Sequence, residues 1–249
     1  MSNIYDALNK EKQGGAPRPV TSEPIAPGAR RALPPAGDRT TDRHLDRIRQ
    51  RIVLDLGPDG HPVVVFTGAV PGEGTSTLSL RFAREIALAD PRPVLLVDGD
   101  LARGPGTLSG VLQTADTVSG LSDLLAGAGE LTRLVLGTEQ TNLHFLPCGC
   151  ADLPNLELVR SDRVENVLRE MTRHYSFVVI DAGALLAAPE TALLASPTAG
   201  VVLVVRAGRT RREVVQRAVD ALSRARCRVL GVVLNDRRYP IPGFIYRRI

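Results

Sequence analysis

Residues 63–77 read Val-Val-Val-Phe-Thr-Gly-Ala-Val-Pro-Gly-Glu-Gly-Thr-Ser-Thr, and the fold turns on how this stretch is understood. The apolar run from Val63 to Phe66 predicts a buried strand. A Gly/Pro loop follows, and a helical pattern opens at Ser76. Strand, glycine-rich loop and helix in that order form a phosphate-gripping P-loop unit. Gly72 and Gly74 let the backbone curl so that its N–H groups point at a phosphate, and the helix start adds the positive end of its dipole. Pro71, Gly72, Glu73, Gly74, Thr75, Ser76 and Thr77 are therefore the candidate nucleotide contacts. Ser76 stands where a P-loop hydroxyl meets magnesium. The full pattern has a lysine between Gly74 and Ser76, reaching the β- and γ-phosphates. Here that position is Thr75.

Working outward, apolar runs alternate with helical patterns. Strands are predicted at 94–97, 143–146, 177–180, 201–205 and 229–234. Helices are predicted at 40–56, 78–89, 121–126, 157–173 and 211–224. Continuous apolar strands alternating with helices predict an α/β fold: a P-loop NTPase-like, doubly wound, mainly parallel sheet with helices on both faces. Right-handed crossovers place the C-terminal ends of the strands on one edge, where ligands bind. Thr67, Asp98, Asp181 and Asn235 all fall at such ends. Asp181 fits the acid that holds a metal through water, Asp100 adds a second metal-facing carboxylate, and Asp98 or Asp100 could position or deprotonate an attacking hydroxyl. A nucleotide and Mg2+ are the cofactors this pattern implies.

The chain has 249 residues and 43% apolar content, enough for one substantial domain and tails. We expect a docking helix over 1–12 (Ile4, Tyr5 and Leu8 on one side), a Pro/Gly-rich disordered linker over 13–39, the main domain over 40–236 and a basic tail over 237–249. The apolar positions of the 40–56 helix are Leu45, Ile48, Ile52 and Leu54, a face for the main domain or a neighbouring subunit. The absence of a membrane-length apolar run or signal-peptide pattern predicts a cytoplasmic protein. Cys148, Cys150 and Cys227 lack metal spacing and read as reduced thiols. The net charge of +4 is uneven: residues 206–249 carry twelve Arg against three acids, a net of +9, which leaves −5 for the remainder. That end could meet phosphates, anionic lipid or an acidic partner. The two lysines, Lys10 and Lys12, lie far from the loop.

These motifs resemble the bacterial tyrosine kinase family of exopolysaccharide and capsule assembly, the CpsD/CapB type, within the MinD/ParA-like P-loop superfamily. The resemblance spans roughly 43–246. Residues 69–77 are similar to its Walker A loop, 95–103 (Leu-Leu-Val-Asp-Gly-Asp-Leu-Ala-Arg) to Walker A′, and 175–181 (Tyr-Ser-Phe-Val-Val-Ile-Asp) to Walker B. Residues 120–127, 146–149, 204–210 and 231–235 match further segments, and 4–8 resembles the start of members linked to exopolysaccharide export. The resemblance implies a protein-tyrosine autokinase that binds Mg-ATP, forms a homo-oligomer, and regulates a membrane polysaccharide co-polymerase from the inner face of the cell membrane. It implies adenine contact by Asn235, and Tyr239 and Tyr246 as phosphoacceptors.

The departures are specific. Thr75 replaces the Walker A lysine, Ala-Gly-Ala follows Asp181 where the family has prolines, and the tyrosine-rich tail is reduced to Tyr239 and Tyr246. His44, Arg47 and Gln50 occupy the places of the Glu-x-x-Arg-x-x-Arg oligomerisation motif. One lost hydrogen bond to a charged phosphate costs about 1.5–3 kcal/mol, and removing a preorganised donor from developing charge costs roughly 10²–10³ in rate. Binding survives such a loss better than phosphoryl transfer does. Arg103 is the best placed arginine in sequence to substitute. Two alternatives to a kinase stay open: a catalytically degenerate nucleotide-sensing scaffold, and a ParA/MinD-type partition ATPase whose basic end binds DNA or membrane. Val70, where those ATPases carry a signature lysine, counts against the latter, and no nucleic-acid partner is expected.

Overall fold

The computed structural model describes residues 30–34, 39–56, 62–102, 107–114, 118–150 and 155–236. The expected docking helix, nearly all of the linker, Arg103, and the tail with Tyr239 and Tyr246 lie outside the described residues. In chain order the elements are α1 (Arg39–Leu56), β1 (Val63–Gly68), α2 (Thr75–Ala89), β2 (Val94–Gly99), α3 (Thr107–Val111), α4 (Leu121–Ala126), α5 (Leu131–Leu134), β3 (Leu136–Gly137), β4 (Leu143–Leu146), α6 (Asn155–Leu158), α7 (Ser161–His174), β5 (Phe177–Ala182), α8 (Glu190–Ala195), β6 (Gly200–Arg206), α9 (Arg212–Arg224) and β7 (Val229–Asn235).

The seven strands form one sheet in the order β3-β4-β2-β5-β1-β6-β7. Every pairing is parallel except β3 with β4, at the edge. This is the mainly parallel, doubly wound sheet that the alternation of apolar runs and helices predicts. The central strands are continuous apolar runs up to the polar residues at their C-terminal ends, because both faces are covered. Val64, Phe66, Leu96, Val179 and Val202 face one core with Leu45 and Ile52 of α1 and Leu78, Phe82 and Ile86 of α2. Val65, Leu95, Val178, Ile180 and Leu203 face the other with α4, α7, α8 and α9. Phe82 links the layers of the first core, its ring centroid 5.0 Å from Phe66 and 6.0 Å from Phe177. Aromatic pairs at that separation contribute about 0.5–1.5 kcal/mol beyond the area they bury.

Helix α1 packs on its own domain. Leu45 and Ile52 are buried and Ile48 packs against the same cluster. Leu54 is 79% exposed, since it lies about 200° around the helix from Ile52. The single helix expected over 157–173 is two, α6 and α7. The chain breaks at Arg160, whose ψ of 137° is extended. The break turns the successive residues Leu158 and Val159 both into the core. Four short elements, α3, α5, β3 and α8, have no counterpart among the segments predicted from the sequence.

Candidate nucleotide-binding site

The loop between β1 and α2 curls because two of its residues take left-handed backbone angles, Gly72 with φ 84° and Gly74 with φ 85°. At Gly74 the requirement is double: a Cβ there would stand 2.2 Å from Asn235 Nδ2. Gly74 is the N-cap of α2 and makes no side-chain cap bond, so the first turn keeps its N–H groups available for an anion. Pro71, Gly72 and Thr77 are exposed; Thr75 and Ser76 are half-buried. Glu73 differs from all of these. It is 2% exposed, and its carboxylate turns back into the loop. Oε2 accepts from the backbone N–H of Ala69 and from that of Val70 at 3.1 Å, and Oε1 accepts from the Thr210 hydroxyl at 2.6 Å.

The acids come from neighbouring strands. Asp98 on β2 and Asp181 on β5 are register partners, and Phe66 on β1 pairs with Asp181. Both carboxylates are buried, and Asp98 Oδ2 accepts from the Ser109 hydroxyl of α3 at 3.0 Å. Asp181 is pushed up to about 8, mainly by burial and further by the charges of Asp98 and Asp100; the hydroxyls of Ser76 and Ser79 pull it part of the way back. Asp181 Oδ1 is a buried oxygen with no hydrogen-bond partner. A buried acceptor left unsatisfied costs about 1–3 kcal/mol. A cation, or water bound to one, would relieve both the orphaned oxygen and the mutual repulsion of the three acids.

The donor set fits magnesium on those grounds. Among the described residues no three His, Cys, Asp or Glu side chains converge as direct metal ligands. Magnesium keeps several waters and takes few protein ligands beside substrate phosphates. Ser76 is thus the candidate direct ligand, with Asp181 and Asp100 reached through water.

The segment that follows β5 and the end of β7 close the site. Residues 183–188 cross the start of the loop: Leu185 N donates to the Gly68 carbonyl at 2.9 Å, Leu186 N to Ala69 at 3.2 Å, and the Thr67 hydroxyl to the Gly183 carbonyl at 2.7 Å. Gly183 lets this strap pass the acids, since a Cβ there would meet Asp100 Oδ1 at 2.5 Å. The Ala-Gly-Ala after Asp181 thus has a local reason. On the other side, the Asn235 amide donates to the Glu73 carbonyl at 2.8 Å, so the end of β7 rests on the phosphate loop.

The structure thus gathers the loop, Asp98, Asp100, Asp181 and Asn235 at one edge of the sheet. Sequence reasoning missed Ser109, Ser79, Thr210 and the 183–188 strap. Only contacts reveal the first three, because a Ser or Thr on a surface-like helix or turn carries no signal of its own. The cysteines are all free thiols; Cys148 is buried, and burial with three nearby carboxylates raises its thiol well above the ordinary range. No helix among the described residues is long and apolar enough to cross a membrane.

No family model matches the chain. Its strand order and glycine loop define a P-loop NTPase-like protein of the MinD type. The septum site-determining protein MinD from Pyrococcus horikoshii, complexed with Mg-ADP, is 26% identical with a TM-score of 0.54, covering 75% of this chain and 76% of that one. The kinase domain of VpsO fits better: 30% identity and a TM-score of 0.67 over 80% of this chain and 98% of that one. The tyrosine-protein kinase CpsD of Streptococcus agalactiae is 25% identical over 197 residues, 79% of this chain and 84% of that protein. The chain belongs to the bacterial tyrosine kinase family, within the MinD/ParA-like P-loop superfamily.

Proposed function

We propose that this protein binds Mg-ATP weakly, transfers phosphate to tyrosine slowly, and acts in exopolysaccharide or capsule biosynthesis as the nucleotide-responsive regulator of a membrane polysaccharide co-polymerase, at the inner face of the membrane. The observation that carries this reading is the half-buried Ser76 hydroxyl beside the buried Asp181, itself paired with the buried Asp98, at a left-handed glycine loop that has no lysine. Magnesium, when bound, would offset the charge that develops on the transferring phosphoryl group. The protein's own residues would do the rest. Backbone N–H groups from Gly72 to Thr77 would hold the β-phosphate region, and Asn235 would border the adenine side. Asp98 or Asp100 would take the proton of the incoming tyrosine hydroxyl as its oxygen bonds to the γ-phosphorus and the bond to the β–γ bridging oxygen breaks, releasing ADP. The acceptors would be Tyr239 and Tyr246, presented by a neighbouring copy in a homo-oligomer, and Arg103 is the first cation to examine in place of the lysine.

The test is incubation of the purified protein with magnesium and ATP, followed by mapping of phosphate by mass spectrometry, with Asp98→Asn as control. We expect little or no phosphotyrosine in the wild type and a partial gain in Thr75→Lys. Robust wild-type phosphorylation of Tyr239 or Tyr246, lost in Asp98→Asn, would overturn the slow-transfer reading and make this an active kinase using another cation.

A further inference from the structure

A buried carboxylate inside a loop built to hold anions works against that loop's task. Burying a charge is costly unless it is paired or well hydrogen-bonded. Glu73, 2% exposed, meets that condition through three donors: the N–H groups of Ala69 and Val70 and the hydroxyl of Thr210. Two of these come from the loop itself. The third comes from the turn between β6 and α9, 137 residues away in sequence. The backbone carbonyl of the same residue accepts the Asn235 amide from β7. Glu73 is therefore the point at which β1, β6 and β7 are tied together beneath the phosphate loop.

We propose that Glu73 and Thr210 form a latch, and that Thr210 is a positioning residue for nucleotide. The latch holds the loop in its phosphate-accepting curl in a site where no lysine spans it. The inference rests on the nucleotide-binding reading above. A rigid loop presents its N–H groups without an ordering cost at the moment of binding. Thr210 immediately precedes Arg211, the N-cap of α9, so the latch also ties the position of α9 to the loop. Linkage makes the coupling reciprocal: a nucleotide that fixes the loop also fixes the 207–211 turn.

The experiment compares wild type, Thr210→Val, Thr210→Ser and Glu73→Gln by hydrogen exchange without nucleotide, and by calorimetric titration with Mg-ADP and Mg-ATP. Thermal melts check that each variant is folded. Without nucleotide, Thr210→Val speeds amide exchange across 69–74, while Thr210→Ser, which keeps the hydroxyl, restores protection. Affinity for Mg-ADP falls roughly threefold to tenfold in Thr210→Val, the loss of about one net hydrogen bond, and recovers in Thr210→Ser. Glu73→Gln keeps most of the protection and affinity, because its amide oxygen can accept the loop N–H groups while its NH2 donates to the Thr210 hydroxyl. In wild type, Mg-ADP slows exchange at 207–211. Unchanged exchange at 69–74 in Thr210→Val overturns the latch, whatever happens to affinity. Faster exchange with undiminished affinity overturns the positioning role alone. A wild type that binds neither nucleotide refutes the nucleotide-binding reading and the positioning role with it, while the exchange data still judge the latch itself.

Discussion

At the scale of single residues, the site is defined as much by Thr75 as by the residues that are kept. A hydroxyl can donate one hydrogen bond to a phosphate but brings no charge, and phosphoryl transfer depends almost wholly on positioning and charge stabilisation. The acids that would hold magnesium are in place, with Asp98 and Asp181 on paired positions of adjacent strands. Most of this was legible in the sequence, because glycines in a loop and aspartates at strand ends announce themselves by type and place. The inward turn of Glu73 was not legible: its environment depends on Thr210, brought near only by the pairing of β6 with β1. His144 on β4 makes the fold sensitive to acid. Its Nδ1 lies 3.2 Å from the Tyr175 hydroxyl, and burial lowers its proton affinity below the ordinary value of 6.5. The folded state therefore binds fewer protons than the unfolded chain as pH falls through that value. The stability involved is fully present above about 6.5 and is lost as pH falls toward the folded value. Urea unfolding at pH 7.5 and pH 5.5 should show a decline in wild type that His144→Gln reduces; an identical decline in both would mean that His144 is not the group responsible.

Among elements, α1 shows how far periodicity reaches. The spacing of Leu45, Ile48 and Ile52 announces a helix with one apolar face, but it cannot say whether that face meets its own domain or a neighbour. The structure answers with burial: Leu45 and Ile52 are each at most 2% exposed within the single chain. Leu45→Ala should therefore cost about 2–5 kcal/mol, measured by chemical denaturation, and the loss should not depend on protein concentration. A cost well under 1 kcal/mol, or one that grows on dilution, would place the face at an interface between subunits instead. Strands were legible for the opposite reason to α1. Burial on both faces erases alternation and leaves continuous apolar runs, as in the Val-Val-Val-Phe that opens β1. The strap at 183–188 escaped because its order comes from hydrogen bonds to Gly68 and Ala69 rather than from any pattern of its own.

For the whole molecule, strand order converts scattered motifs into one place. β1, β2, β5, β6 and β7 run parallel, so their C-terminal ends share an edge, and the glycine loop, three aspartates and Asn235 converge there from positions as far apart as 72 and 235. The proposed function requires this edge to grip the phosphates of a nucleotide, with only the lysine missing. The most direct measurement is a calorimetric titration of wild type and Thr75→Lys with ATP, each in the presence of magnesium and of a chelator. We predict weak, magnesium-dependent binding by wild type, tightened about tenfold or more in Thr75→Lys, the range expected for one hydrogen bond to a charged group. Equal affinity in the two proteins, or binding in neither, would contradict the proposal.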